Sequence, residues 1–115
     1  MIKYHTCKNG RRAAEINIGN DLIYDSEQIL DLMAEALLND AEKIVIHSHN
    51  LHPDFFDLKT GIAGEMLQKF SNYRMRLAII GDFSGYKSKS LGDFIRESNR
   101  TGIVSFKGSI NEALG

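Results

Sequence analysis

The sequence has 115 residues, of which 43% are hydrophobic and 25% are charged. This size and composition are typical of one soluble globular domain and leave no room for a second. The 14 Lys and Arg residues and 15 Asp and Glu residues give a net charge of -1 at pH 7. That balance argues against a general nucleic-acid binder, although it allows a small local basic patch. We therefore expect a single domain, residues 1–115, with no nucleic-acid partner.

Cysteine content and hydropathy indicate the compartment. Cys7 is the single cysteine, so no intrachain disulfide can form, which fits a reducing compartment. No N-terminal segment combines a basic start with a long apolar run. The longest apolar runs are far shorter than the roughly 20 residues that span a bilayer. These patterns predict a cytoplasmic protein, a monomer or a homodimer, that does not associate with a membrane.

The first third of the chain predicts a hairpin and a helix. Apolar and polar residues alternate on both sides of Asn9-Gly10, a pair that favours a tight type I′ turn. A helix is predicted over residues 25–42, with Asp25 or Ser26 as its cap and with capping-box spacing between Asp25 and Gln28. The inward face of this helix is predicted to comprise Ile29, Leu30, Met33, Ala34 and Leu37.

The rest of the chain alternates strands with helices. The predicted strands cover residues 43–47, 76–82 and 101–106, and the predicted helices cover residues 60–73, 90–99 and 109–115. Ser90 and Asp93 have capping-box spacing at the third helix. The order β-β-α-β-α-β-α-β-α implies right-handed crossovers and a mostly parallel sheet, to which the hairpin adds an antiparallel edge.

Two loops follow the carboxyl ends of the middle strands, at residues 48–59 and 82–89. In sheets of this kind, ligand and partner sites gather at that edge. We therefore expect the functional surface to lie on these two loops.

The first loop region is rich in histidine. His47, His49, His52 and Asp54 are ligand types that zinc accepts, and three such ligands with a water form a catalytic site. Their spacing matches no standard zinc pattern, so a polar loop whose histidines cap strand and helix ends is the simpler interpretation. We expect no cofactor. An enzyme that binds a small molecule or a metal through these residues stays open as the alternative function.

Other chemistry-bearing patterns are weaker. No Gly-x-Ser-x-Gly elbow is present, and the second loop lacks the spacing of a phosphate-binding P-loop. Lys87 and Lys89 are suited to meet an acidic or phosphorylated surface. Phe55 and Phe56 cannot readily both turn inward. Either one of them is exposed to a partner, or both are buried under the neighbouring loop.

Thr60 lies at the predicted start of the second helix, near the positive end of its dipole. A phosphate placed there would be electrostatically favoured. Capping of the helix by Asp57 or Thr60 is the simpler interpretation of the same residues.

Three segments resemble a known family: "PDFFDLKTGIAGEMLQKFSNYR", "LAIIGDFS" and "SKSLGDFIRESNRTG". They are similar to the bacterial family called domain of unknown function 4180, and the resemblance extends over the whole chain. The family implies no particular activity.

A second resemblance concerns the fold. The element order and the segment "DLKTGIAGEML" resemble the STAS fold of sulfate transporters and anti-sigma-factor antagonists. Those antagonists have an Asp-Ser-Ser-Gly loop before a helix that begins Gly-hydrophobic-Gly, and Thr60-Gly61 falls at their phosphorylated Ser and the following Gly. This chain departs from them by one extra residue between Asp57 and Thr60, by Thr as the acceptor and by the histidine-rich loop.

Together these patterns predict an α/β, STAS-like fold with a small mixed, mostly parallel sheet, an N-terminal hairpin and helices packed mainly on one face. The predicted function is a cytosolic regulatory module that binds an unidentified protein partner, with Thr60 as a phosphoacceptor. The expected partner-binding residues are Asn50, Asp54, Phe55, Phe56, Asp57, Lys59, Gly61, Asp82, Ser84, Lys87 and Lys89.

Overall fold

The computed structural model describes all of residues 1–115 and contains one five-stranded sheet. The strands are β1 (Ile2–Thr6), β2 (Arg12–Ile16), β3 (Ala41–His47), β4 (Arg76–Ile80) and β5 (Val104–Lys107). They lie side by side in chain order. β1 runs antiparallel to β2, and every other pair is parallel. The predicted mixed, mostly parallel sheet with an N-terminal hairpin is confirmed.

Four α-helices connect or follow the strands. They are α1 (Ser26–Leu38), α2 (Ile62–Asn72), α3 (Lys89–Thr101) and α4 (Ile110–Leu114). Their order along the chain is the predicted one. None of them combines the length and the apolar character that crossing a membrane requires.

The sheet is covered on both faces, but unequally. The larger core holds 21 buried residues and joins α1, α2 and α3 to strand residues such as Ile44 and Ile46. The smaller core holds six, including Val45 of the same strand and Ala113 of α4. This division follows from the pleat, because successive side chains of a strand point to opposite faces. Three helices therefore cover one face, and the short α4 covers part of the other.

The hairpin loop differs from the predicted type I′ turn. Such a turn needs positive φ at both central residues, whereas Gly10 has φ 83° and Asn9 is not in the left-handed region. The backbone N–H of Cys7 donates to the carbonyl of Arg11 at 2.7 Å, and that of Gly10 donates to the carbonyl of Cys7 at 2.9 Å. These bonds close a three-residue loop in which glycine alone takes the left-handed position.

The buried face of α1 is rotated from the predicted one. The predicted capping box of Asp25 and Gln28 is present. Ala34 and Leu37, however, are exposed, and the buried residues of the helix are Ser26, Ile29, Met33 and Ala36. Both stripes have helical spacing, so the packing partners decide between them. The Ser26 hydroxyl donates to Glu65 of α2 at 2.7 Å, which places this stripe against the neighbouring helix.

Helix boundaries also differ from the prediction, and two of these differences have a clear cause. α1 ends at Leu38 because Asp40 takes a left-handed conformation with φ 60°, and Ala41 already belongs to β3. α3 begins earlier than predicted, since the hydroxyl of Ser88, rather than that of Ser90, accepts the capping hydrogen bond from the Leu91 N–H.

Candidate functional site

The two loops predicted to carry function begin in contact with each other. His47, the last residue of β3, pairs in register with Ile80, the last residue of β4. Gly81 then passes so close to Ser48 that a Cβ added to it would lie 2.8 Å from the Ser48 Cβ. Real Cβ atoms do not approach this closely, so glycine is what allows the loops to leave the sheet side by side.

The loop after β3 is built from three short 3-10 turns. These are Ser48–Asn50, Pro53–Phe56 and Leu58–Thr60. The buried Asn50 side chain donates to the carbonyls of Gly19 and Asp21, at 2.9 Å each. The backbone carbonyl of Asn50 accepts a hydrogen bond from the Ile23 N–H at 2.7 Å. The loop is therefore anchored to the segment that joins β2 to α1.

Phe55 and Phe56 are both buried, at 1% and 8% exposure. Phe56 stacks on Tyr86 of the second loop with ring centroids 5.1 Å apart, and Tyr86 in turn stacks on Phe83. Of the two arrangements that the sequence left open, the structure has the one in which both rings are buried, and the neighbouring loop covers Phe56. With Asn50, these phenylalanines support the surface from inside.

The other expected partner-binding residues are exposed. They are Asp54, Asp57, Lys59 and Gly61 on the first loop, Asp82, Ser84 and Lys87 on the second, and Lys89 at the start of α3. Asp82 accepts hydrogen bonds from the hydroxyl and the backbone N–H of Ser84, and these bonds, the hydroxyl's first, hold its pKa below the usual range. The two loops thus present acidic and basic groups above a shared aromatic layer.

Thr60 is exposed at the end of the first loop. Its Oγ1 lies 2.7 Å from the carbonyl oxygen of Asp54 and 2.8 Å from that of Asp57. It also accepts a hydrogen bond from the Ile62 N–H at 3.3 Å. The N-cap of α2 is Gly61, with φ 77°, while the Asp57 side chain caps the preceding 3-10 turn through the Lys59 N–H. The Thr60 hydroxyl therefore joins the loop backbone to the first turn of the helix.

The loop histidines do not converge on one point. His47 Nε2 lies 2.7 Å from Glu15 Oε2, and His49 Nε2 lies 3.1 Å from the Gly19 carbonyl oxygen. His52 Nδ1 accepts from the Asp54 N–H at 3.1 Å. No group of three or more His, Cys, Asp or Glu side chains is arranged to hold a metal ion. The geometry therefore gives no support to the metal-binding alternative.

A cluster that sequence reasoning missed lies on the sheet face opposite the three large helices. Glu15 of β2 bridges two imidazoles, with Oε1 2.8 Å from His5 Nε2 and Oε2 2.7 Å from His47 Nε2. Burial alone would raise the pKa of Glu15, but the hydrogen bonds from His47 and His5 and the charges on those rings outweigh it and lower the pKa. The available signal was a carboxylate in the otherwise apolar "AAEI" of β2, because such residues are buried only with partners.

The fold and the site define a single-sheet α/β domain with two packed loops at the carboxyl edge of its parallel strands. The family model of the domain of unknown function DUF4180 matches residues 8–115, and the chain belongs to this family. The match begins in the hairpin loop and continues through α4. Searches of the curated proteins and of the solved structures found no match.

Proposed function

We propose that this protein is a regulatory protein-interaction module of the bacterial cytoplasm, with a STAS-like fold and a phospho-switch at Thr60. The observation that carries the proposal is that Thr60 is an exposed residue whose hydroxyl is hydrogen-bonded to the loop backbone. A modifying enzyme could reach this oxygen, and the surrounding surface would respond to the change.

The response follows from hydrogen-bond chemistry. The hydroxyl proton is shared between the carbonyl oxygens of Asp54, in the second 3-10 turn, and Asp57, which joins that turn to the third. A phosphate ester at Oγ1 has no such proton, and it adds a charge of about -1.5 to -2 at pH 7. The two carbonyls would then face a negatively charged group at close range. The loop would have to move, while the positive end of α2 would attract the phosphate.

The partner surface consists of the exposed charged residues of the two loops. Asp54, Asp57 and Lys59 surround Thr60, and Lys87 lies on the second loop. The stack of Phe56 on Tyr86 connects the loops, so movement near Thr60 would be transmitted to the residues around Lys87. A single phosphate would thereby alter a surface larger than its own contacts.

The test compares wild-type protein with Thr60→Asp, Thr60→Val and Ser71→Asp as baits in lysate of the source cells, with mass spectrometry as the readout. We expect a partner whose capture changes at least about 10-fold with Thr60→Asp. Ser71 is an exposed residue near the other end of α2, so its variant carries the same added charge away from the loop. Thr60→Val separates loss of the hydroxyl from gain of charge.

Amide hydrogen exchange supplies a second readout that needs no partner. We expect the loop amides to exchange faster in Thr60→Asp but not in Ser71→Asp. The Thr60→Asp variant has no hydroxyl that could donate to the carbonyls of Asp54 and Asp57. Equal capture of every partner by all four baits, together with unchanged exchange, would rule out the switch.

A further inference from the structure

A second site lies at the opposite edge of the sheet from the two loops. A groove of about 390 Å³ opens where β2, β3 and β4 begin, beside the hairpin loop. This volume falls within the range of small-molecule sites, roughly 300–1,000 Å³. None of its lining residues belongs to the loop between β3 and α2 that contains Thr60, so the groove is a separate site from the proposed switch.

The groove is strongly basic. Its cationic side chains are Arg11, Arg12, Lys43, Arg74 and Arg76. Its single carboxylate is Glu42, which is already bound by Arg11 Nη1 at 2.5 and 2.7 Å. The local charge is therefore positive in a chain whose net charge is -1. Such a local excess attracts anions even when the whole protein does not.

Two of the cations are fixed in position without losing their charge. The Arg12 guanidinium lies 4.4 Å from the centre of the Tyr4 ring, and its Nη1 donates to the Asn39 carbonyl at 2.8 Å. Lys43 Nζ donates to the Ala113 carbonyl at 2.8 Å. Neutral carbonyls and a ring orient these groups but do not neutralise them, which leaves two fixed positive charges beside the groove.

The other two cations have no partner at all. Arg74 and Arg76 are exposed, and neither side chain makes a hydrogen bond or an ion pair. Arg76 is the register partner of Lys43 on the neighbouring strand, so the two side chains emerge from the sheet next to each other. Arg76 also lines two adjoining cavities of about 240 and 230 Å³. Free guanidinium groups of this kind bind phosphate in a bidentate manner.

The backbone at Arg74 is strained. Its φ is 54°, in the left-handed region that costs a non-glycine residue roughly 1–2 kcal/mol. Two hydrogen bonds of the adjacent backbone impose this conformation. The Arg74 N–H donates to the Ser71 carbonyl, and the Met75 N–H donates to the Phe70 carbonyl. Glycine would suit the backbone better. These two hydrogen bonds form the C-terminal cap of α2, which leaves the Arg74 side chain free of hydrogen bonds.

The groove also offers apolar surface. Ala41 and Met75 are buried at its base, and Leu37 is 46% exposed at its margin. Leu37 is one of the two α1 residues, with Ala34, that were predicted to face inward and are exposed. An apolar base beneath free arginines suits an anion with an organic body better than a bare inorganic ion.

We propose that this groove binds a small phosphorylated organic molecule, with Arg74 and Arg76 holding the phosphate and Ala41, Met75 and Leu37 contacting the body. The fixed Arg12 and Lys43 add positive potential around the phosphate.

The test is isothermal titration calorimetry of the full chain with AMP, inorganic phosphate, adenosine and a short single-stranded oligonucleotide. We expect AMP to bind more tightly than about 1 mM and to weaken as salt rises, while phosphate and adenosine each bind at least about 10-fold more weakly than AMP. Failure of AMP to bind at this concentration, or phosphate binding as tightly as AMP, would overturn the assignment. So would an oligonucleotide that binds more tightly than AMP, since it would indicate a nucleic-acid surface.

The variants separate binding from folding. Arg76→Gln should weaken AMP by about 10-fold, and Arg74→Gly should do the same while raising the melting temperature, because glycine relieves the left-handed strain. The control is the double variant Lys59→Gln, Lys87→Gln at the opposite edge, which should bind AMP like wild type. If both arginine variants retain wild-type affinity, or the control weakens it equally, the phosphate does not bind in this groove.

Discussion

At Glu15, burial and the neighbouring histidines shift the pKa in opposite directions. Its side chain is 12% exposed, and both of its oxygens are within 2.8 Å of an imidazole nitrogen. A buried carboxylate without partners would be strongly destabilising, so the two histidines make this residue compatible with the sheet. The cluster also joins β1, β2 and β3 through side chains in addition to the backbone ladder.

We predict that Glu15→Gln lowers the free energy of unfolding by about 1–3 kcal/mol at neutral pH, because an amide cannot accept from both imidazoles. The pKa of Glu15 is lowered in the folded state from its usual 4.5, so its contribution is present above that value. The contribution is lost as the pH falls through the lowered folded-state pKa. Urea denaturation from pH 7 to about pH 3 should therefore show the difference between variant and wild type shrinking in acid.

The control for this prediction is Glu35→Gln, which changes an exposed carboxylate in the last turn of α1. It should alter stability by less than about 0.5 kcal/mol at neutral pH. A Glu15→Gln deficit that stays constant over the whole pH range would show that the carboxylate's charge is not what the histidines recognise.

At the scale of elements, the contact between the end of β4 and the loop after β3 depends on a missing side chain. Gly81 does not have positive φ, so alanine is allowed there by the backbone. The obstacle is purely steric, because the added Cβ would meet Ser48. The two loops that carry the candidate partner surface are therefore positioned by a close packing contact.

We predict that Gly81→Ala destabilises the protein by about 1–3 kcal/mol through overpacking, and that Ser48→Gly in the same chain restores part of the loss. The matched control is Gly64→Ala in α2, where an added Cβ meets nothing within 4 Å. That change should stabilise the helix by about 0.5–1 kcal/mol. Thermal unfolding of these three variants beside wild type measures the changes in stability. Wild-type stability of Gly81→Ala would mean that Ser48 moves aside without cost.

At the scale of the whole molecule, the two proposed sites lie at opposite ends of the same strands. β3 has seven residues and so spans about 23 Å between the two loops at the carboxyl edge and the basic groove at the other edge. The interior between them is a continuous sheet packed on both faces. Nothing in this arrangement provides two alternative packings through which one edge could influence the other.

We predict that Thr60→Asp leaves the affinity for AMP within about 2-fold of wild type, since distant sites without shared partners act additively. Calorimetric titration of this variant beside wild type measures the effect. A change of about 10-fold or more would establish coupling through the sheet and would make the groove an effector site for the switch.

The sequence by itself was sufficient for features that depend on neighbouring residues. Hydrophobic period and capping pairs predicted the order of strands and helices, the mixed sheet and the Asp25–Gln28 capping box. It also placed Thr60 at the start of the second helix, two residues before the observed first residue Ile62, and the two loops at one edge, because strand direction follows from the alternation of elements. These are short-range patterns, and each can be recognised without knowing what packs against it.

Only the tertiary structure decided features that depend on register and on contact between distant segments. Two different sets of α1 residues have the spacing of a buried face, and only packing shows which set is buried. The burial of Phe56 depends on Tyr86, which belongs to another loop. His5, Glu15 and His47 come from three strands, and their meeting depends on how those strands pair. The basic groove likewise gathers its cationic residues from position 11 to position 76. The overall charge of -1 conceals it, since composition averages over a surface that the fold divides into unlike parts.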